Sequence, residues 1–283
     1  MSHRRAFTLV ELIVALLLAS LVLGIATTTT LRQHRVHARI QSASSVDAQL
    51  RAAMLILSGQ LAMLDAGNGD LVAGEASDTA LQFRAPVAVA LACDLGVGSV
   101  TLRPDAPGDV ALSGRASRIR TSDSLWWLVD SAWIGRRVTN VSTVIAACAP
   151  PVSISGPSTM VDLDAPDSIP PGTPIRITRQ TRYAMYRASD GTRQLGFREW
   201  NDPASQFAAP QPVAGPLLLW NGGTHSGFRY FDAQGAELAG VVDASRVGRI
   251  RITALAVISG NALGPDSIRM DSTDIALNHA TGP

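Results

Sequence analysis

Lysine is absent from this sequence of 283 residues, so all 24 of its basic residues are arginines. The net charge is +1 and the arginines are scattered, so nothing indicates a nucleic-acid partner. Two cysteines are too few to build a zinc site by themselves. No HExxH pair, Gly-x-Ser-x-Gly turn or phosphate-binding loop occurs. We therefore predict no catalytic residue, no metal, no cofactor and no enzymatic activity.

Length and composition add only broad limits. A chain of this length forms one large domain or two small ones. Apolar residues make up 46% of the sequence and aromatic residues 5%, which is ordinary for a globular protein that carries a membrane segment.

A long apolar run lies near the N-terminus, from Phe7 to Ala26. It has about the 20 residues that a helix needs to cross a hydrocarbon core of ~30 Å. Arg4 and Arg5 precede the run, and the positive-inside rule then places the N-terminus in the cytoplasm. The run predicts one membrane-spanning helix with the body of the chain outside.

Glu11 places a carboxylate inside this run. On insertion scales a charged group at mid-span costs about 2–3 kcal/mol, so it requires a counter-charge. Cleavage after Ala6 would create one, because the new amine of Phe7 lies four residues, or one helical turn, before Glu11. In an assembly, the amine of a neighbouring subunit could serve instead.

The order Phe7-Thr8-Leu9-Val10-Glu11 after a short basic leader resembles the class III signal of type IV prepilins and type II secretion pseudopilins. In that family a membrane aspartyl protease, the prepilin peptidase, cuts on the cytoplasmic side, here between Ala6 and Phe7. The same enzyme methylates the new N-terminal residue, here Phe7. The family's glutamate, which sets subunit register, falls on Glu11. The family usually has Gly before the cut, and this chain has the small residue Ala6.

This resemblance implies a structural and assembly subunit, a minor pilin or pseudopilin of a type IV pilus or type II secretion pseudopilus. It would be anchored in inner-membrane lipid with its C-terminal domain in the periplasm. Its partners would be prepilin peptidase and other pilin or pseudopilin subunits. The alternative is a signal-anchored periplasmic enzyme or adhesin whose β-rich domain does the work.

Two other targeting signals fit the N-terminus less well. Gly24-Ile25-Ala26 has the small-x-small form of a signal-peptidase site, and cleavage there would release a soluble secreted domain. That interpretation leaves Glu11 unexplained. Arg4-Arg5 echoes a twin-arginine signal, but the polar spacer before the apolar run is missing.

Beyond the apolar run, the helix is predicted to continue to about Asp65. The run Thr27–Thr30, just after Gly24, lowers helix propensity and predicts a bend or a melted turn. Apolar residues then recur every three or four positions, which predicts one stripe packed on a sheet; the alternative is a coiled coil, for which the stripe is short. That stripe comprises Val36, Ile40, Ala43, Leu50, Met54, Leu57, Leu61 and Leu64.

After residue 70, short β-rich runs alternate with Gly, Pro, Asp and Ser. The predicted fold class is α+β: a long N-terminal helix on an antiparallel sheet, as in the pilin fold, with an inserted β-rich lobe at about 90–175. Asp190-Gly191 predicts a hairpin turn. The predicted division is a leader at 1–6, the membrane half of the helix at 7–30, its amphipathic half at 31–65 and a periplasmic β-rich domain at 66–283.

The predicted strands are Ala80–Arg84, Val100–Arg103, Ser124–Val129, Ser142–Ala146, Met160–Leu163, Pro174–Ile177, Tyr183–Arg187, Gln194–Trp200, Gly227–Tyr230 and Arg249–Ser259. The runs from Gly227 to Gly235 and from Val247 to Thr253 resemble the closing strands of W-type minor pilins and J-type pseudopilins. The tail after Gly264 is polar and is predicted to be loosely held. If the body lies outside the cytoplasm, Cys93 and Cys148 are predicted to form a disulfide; the alternative is two buried thiols that do not meet.

Three further groups of residues have simpler interpretations than a functional site. His34 and His37 share a helix face that we expect to be solvated near lipid headgroups. The three tryptophans Trp126, Trp127 and Trp133 are expected in the core or on a sheet face rather than in a binding patch. Two acidic sets lack the full calcium loop with its final Glu and are expected to be turn residues. They are Asp65, Asn68 and Asp70, and Asp162, Asp164 and Asp167.

Overall fold

The computed structural model describes residues 9–72, 74–94, 96–103, 114–115, 118–130, 132–152, 155–201, 204, 206–218, 226–239, 242–258 and 267–277. Ala6 and Phe7 lie outside these ranges. Within them, one long helix precedes a body made of antiparallel strands, which is the predicted α+β class.

Helix α1 spans Leu9–Leu61, and a short 3₁₀ helix spans Ala244–Arg246. The strands are β1 (Ala80–Leu91), β2 (Ser99–Leu102), β3 (Gly114–Arg115), β4 (Ser124–Val129), β5 (Ala132–Ala147), β6 (Ser155–Leu163), β7 (Pro174–Arg187), β8 (Arg193–Asn201), β9 (Gln206–Phe207), β10 (Gln211–Ala214), β11 (Gly227–Phe231), β12 (Glu237–Leu238), β13 (Arg249–Ile258) and β14 (Ser267–Ala276).

The strands form two antiparallel sheets. The larger has the order β10-β8-β7-β4-β5-β6-β2, with β1 paired along β7, β3 on β1 and β9 on β8. The smaller has the order β12-β11-β13-β14. Strand β7 organises the large sheet, because its first half pairs with β4 and its second half with β8, while β1 lies along its other side.

Two hydrophobic cores lie within this body. The helix-side core packs α1 against the small sheet and the second half of β7; its largest members include Leu57, Leu61, Phe83, Tyr183, Phe228 and Ile250. The lobe core lies among β1, β2, β4, β6 and the first half of β7; its members include Val87, Leu125, Trp127, Val161, Ile175 and Ile177. Most of the described members of the lobe core lie between residues 90 and 175, the stretch for which an inserted β-rich lobe was predicted.

A buried ion pair lies on β7 between Ile177 of the lobe core and Tyr183 of the helix-side core. Arg179 donates from Nε and Nη2 to the two carboxylate oxygens of Asp123, at 2.8 and 3.0 Å. Its Nη2 also donates to the carbonyl oxygen of Arg118 at 2.8 Å. Burial opposes the charge of Arg179, but the hydrogen bond with Asp123 and its negative charge outweigh this and raise the pKa of Arg179.

Several strand predictions were wrong in extent. Pro174–Ile177 and Tyr183–Arg187 are parts of one strand, β7, because buried polar residues such as Arg179 interrupt the apolar pattern without interrupting the ladder. Strand β5 begins ten residues before the predicted Ser142, since its first half pairs with β4. The short strands β3, β9, β10 and β12 were not predicted.

The tail after Gly264 was also predicted wrongly. Residues Ser267–Ala276 form β14, which pairs with β13 along its whole length. Its polar residues pair across the ladder, as Asp274 does with Arg251 at 2.7 Å. The Asp190-Gly191 hairpin prediction is confirmed: these residues lie in the turn between β7 and β8, where Gly191 has φ +84°.

Cys93 and Cys148 are joined by a disulfide, with their Cα atoms 4.5 Å apart. Cys93 follows β1 and Cys148 follows β5. Beside the bond, the amide of Ala149 donates to the carbonyl oxygen of Cys93 at 2.9 Å. The far end of the β5–β6 hairpin is therefore attached to the end of β1.

Candidate assembly helix

The N-terminal part of α1 presents an apolar surface that nothing in the described chain covers. The side chains of Leu9, Leu16 and Leu23 are 77%, 62% and 69% exposed. The helix is long and apolar enough to span a membrane, and its apolar stretch is not buried within the protein. A core helix of a soluble protein would bury such residues.

The threonine run does not melt the helix. Thr27, Thr29 and Thr30 donate their hydroxyls to the carbonyls of residues four positions earlier, at 2.7–2.9 Å. Thr28 donates its hydroxyl to the carbonyl of Ile25, three positions earlier, at 2.9 Å. Because these hydroxyls are satisfied inside the helix, the run adds no unpaired donor where the chain would leave lipid. The predicted melted turn is wrong, and α1 is continuous through Gly24.

The predicted apolar stripe divides into two parts. Val36 and Ile40 are 52% and 59% exposed, whereas Leu50 and Leu57 are buried against the sheet. The helix therefore packs on the body only from about Val46 onward, and about 55 Å of it extends beyond, at 1.5 Å per residue. Sheet packing was predicted correctly for the second part and wrongly for the first.

Three contacts fix the packed part of α1. Leu57 and Leu61 are fully buried. Gln60 accepts a hydrogen bond from the hydroxyl of Tyr183 at 2.8 Å, and burial raises the pKa of this tyrosine. Oδ1 of Asp47 lies 3.8 Å from Nε of Arg269 in β14. Tyr183 was predicted only as part of a strand, because its partner is 123 positions away in sequence.

Basic residues also follow the apolar run. Arg32, Arg35 and Arg39 lie on the body side of it, as do His34 and His37. Since the positive-inside rule counts both flanks, Arg4 and Arg5 alone do not determine orientation. The cytoplasmic position of the N-terminus therefore stays a prediction that depends on the signal.

The three tryptophans do not form one patch. Trp127 is 2% exposed and belongs to the lobe core, as predicted for a core residue. Trp126 lies on the opposite sheet face, where its indole nitrogen donates to Thr178 at 3.0 Å and the guanidinium of Arg84 stacks 4.7 Å from the ring centre. Trp133 lies opposite Leu128 in the β4–β5 hairpin.

The acidic sets are occupied by protein partners. Asp65 accepts from the side chain of Asn68 at 2.7 Å, and Asp70 pairs with Arg176 at 2.6 Å. In the second set, Asp162 accepts from Asn140 at 2.9 Å, Asp164 accepts from the amide of Arg137 and Asp167 pairs with Arg136. No group of three or more metal-binding side chains occurs within the described ranges.

The body has two adjoining clefts beside Trp200. One, of about 420 Å³, is lined by Arg84, Ser122, Ser124, Arg137 and Gln180, among others. The second includes Arg120, Arg179 and Glu199. Neither lining contains a histidine or cysteine among its described residues.

Residues 1–27 match the prokaryotic N-terminal methylation motif, the prepilin-type signal. The match includes the Ala6–Phe7 junction, Glu11 and the start of the exposed apolar surface. No curated protein and no solved structure matches the chain significantly. The motif covers about a tenth of the chain and says nothing directly about the body.

Proposed function

We propose that the chain, which carries the N-terminal methylation motif at residues 1–27, is a type IV pilin-like subunit, and more narrowly a minor pilin or pseudopilin. Prepilin peptidase cuts it between Ala6 and Phe7 and methylates Phe7. The apolar part of α1 then anchors it in the inner membrane with the body in the periplasm. From there it enters a type IV pilus or type II secretion pseudopilus, at the tip or as a primer.

One observation carries the proposal: the motif overlaps the start of a helix whose described apolar part, from Leu9 onward, is exposed. An assembled filament or a lipid bilayer is the environment that such a surface requires. In that environment Glu11 pairs with the amine of Phe7, either its own or a neighbour's, and this pairing sets the subunit register.

The body supports a minor rather than a repeating subunit. The two runs that resemble the closing strands of W-type minor pilins and J-type pseudopilins contain β11 and β13, which are neighbours paired from Gly227–Thr253 to Phe231–Arg249. The lobe adds a second core on the side away from α1. A periplasmic location also suits the disulfide between Cys93 and Cys148.

The test is the mature N-terminus of the protein recovered from cells, read by mass spectrometry. We expect the chain to begin at N-methylated Phe7, and to retain residues 1–6 when prepilin peptidase is deleted. Replacing Ala6 with a bulky leucine should block the cut, while Ala6→Gly should be processed at least as well as the natural chain. A chain that begins after Ala26, or that keeps its leader in the presence of the peptidase, would refute the proposal.

A further inference from the structure

The second half of β5, residues 139–147, pairs with another described strand along only one of its two sides, and we call this segment the β5 arm and its other side the open side. Strand β6 pairs along one of its sides. On the other side, β4 pairs with Ala132–Arg137, and the last contacts are those of Val138 with Ser122 and Asp123. Beyond Val138, no strand in the described part of the chain pairs with that side of the arm.

The register shows which main-chain groups face the open side. Ile145 lies opposite Pro157, which has no N–H, so this pair is a non-hydrogen-bonded pair of the antiparallel ladder. Residues alternate between the two kinds of pair along such a ladder. The N–H and C=O groups of Val141, Thr143, Ile145 and Ala147 therefore point away from β6, toward the open side.

The arm lacks the features that normally protect a free edge. It contains no charged residue and no proline, and five of its nine residues are β-branched. Other edge strands are different: β14 carries Arg269, Asp271 and Asp274, β10 contains Pro212, and β2 has only four residues. Charges, prolines and short length are the usual means of preventing edge-to-edge pairing. Their absence from the arm indicates an edge that is meant to pair.

Both ends of the arm are held. At one end the arm follows directly on the β4–β5 ladder, and at the other Cys148 follows Ala147 directly and is bonded to Cys93. The arm is therefore kept extended before any partner arrives, which lowers the ordering cost of binding. Its side chains also remain available, since that of Ile145 is 91% exposed.

We propose that the β5 arm is a docking edge to which a neighbouring pilin-like subunit adds an extended strand, in line with β4. The main-chain groups specify a strand as the occupant, because only a strand presents donors and acceptors at the same spacing. The arm offers no charge to neutralise a charged partner, so the incoming segment is uncharged, with β-branched or aromatic side chains beside Ile145. The identity of the partner as a subunit rests on the proposed function.

The first experiment tests whether the edge is open in the isolated subunit. Hydrogen exchange is measured at single-residue resolution on the full chain in detergent micelles. We expect fast exchange at the amides of Val141, Thr143, Ile145 and Ala147, and slow exchange at those of Ser142 and Val144, which bond to β6. Uniform protection along the arm would show that another part of the chain already covers the edge, and would overturn the proposal.

The second experiment identifies the occupant in cells that assemble the filament. A benzoylphenylalanine at position 145 is photo-crosslinked, and the joined peptides are sequenced. The expected product joins the arm to an uncharged segment of another subunit that itself carries a methylated N-terminus. A crosslink within the same chain, to a protein without such an N-terminus, or to nothing would overturn the proposal.

Matched variants connect the crosslink to strand pairing. Thr143→Pro removes one outward N–H but no bond to β6, and should lower the yield about tenfold, whereas Thr143→Ala should leave it nearly unchanged. Ile145→Lys should weaken co-purification of the partner, while Ile268→Lys on charged β14 should not. Edge pairing would be contradicted if Thr143→Pro and Thr143→Ala lowered the crosslink yield equally. It would also be contradicted if Ile145→Lys and Ile268→Lys weakened co-purification equally. The mature N-terminus is read from the same sample by mass spectrometry. A chain that begins at N-methylated Phe7 but gives no crosslink refutes the docking proposal alone, whereas a chain that keeps its leader refutes the proposed function.

Discussion

The helix-side core and the lobe core share β7 but are held together by different means. The first is closed by an element from outside the large sheet, because α1 places Leu57 and Leu61 over it and Gln60 bonds Tyr183. The second contains no helical residue among its described members and lies between strands, with a disulfide at its far end. The Arg179–Asp123 pair lies between the two cores, so one sheet carries two cores with a hydrogen-bonded ion pair between them.

The largest expected effect comes from breaking the Arg179–Asp123 ion pair between the two cores. Asp123→Ala leaves Arg179 buried without its bidentate partner, and we expect the free energy of unfolding to fall by about 3–5 kcal/mol. Urea denaturation of the full chain in detergent measures this. Glu237→Ala, which breaks an exposed pair with Arg229, is the control and should cost far less. If both variants lost the same free energy of unfolding, the buried Arg179–Asp123 pair would contribute no more to stability than an exposed pair.

The next largest effect is expected from weakening the packing of α1 on the helix-side core. Leu57→Ala opens a cavity in the helix-side core, and we expect a destabilisation of about 4 kcal/mol. Leu55→Ala, two positions away on the same helix but 73% exposed, should be nearly neutral. Hydrogen exchange should show the loosening in β11 and β13 before β5. Loosening that begins in the lobe would contradict the separation of the two cores.

A somewhat smaller effect is expected from removing the disulfide at the end of the lobe. Replacing Cys93 and Cys148 with serine opens a loop across 55 positions and should cost about 3 kcal/mol. Limited proteolysis should then cut the β5–β6 hairpin first, while the packing of α1 persists. Mass spectrometry of the untreated chain should find no free thiol. A thiol that reacts readily with alkylating agents before reduction would show that the two cysteines are not paired.

The smallest effect concerns one hydrogen bond to the helix. Tyr183→Phe removes the bond to Gln60 and should cost about 1 kcal/mol at neutral pH. Because burial raises the pKa of Tyr183 above that of a free tyrosine, its contribution is present below about pH 10 and is lost as pH rises further. The natural chain should therefore lose more stability than the variant between pH 9 and 11. Burial raises the pKa of Tyr230 too, so the variant should still show some loss.

Much of the fold followed from local patterns. The apolar run predicted α1, and β4 was predicted at its observed bounds, because alternation and turn residues are local signals. Strands β7 and β14 were not predicted correctly. Arg179 in β7 and Arg269 in β14 interrupt the local apolar pattern, and their charged partners lie far away in the sequence. The exposure of Val36 was missed for a similar reason, since periodicity shows a stripe but not where the body ends.

For the candidate site, the sequence alone predicted the chemistry: the Ala6–Phe7 junction, Glu11 and an apolar span are contiguous, and a contiguous motif needs no fold to be recognised. Only the tertiary structure decided where α1 leaves the body, that Tyr183 meets Gln60, and that no described strand pairs with one side of the β5 arm. Those features depend on residues far apart in sequence. Their positions are set by packing and strand register, which no local pattern specifies.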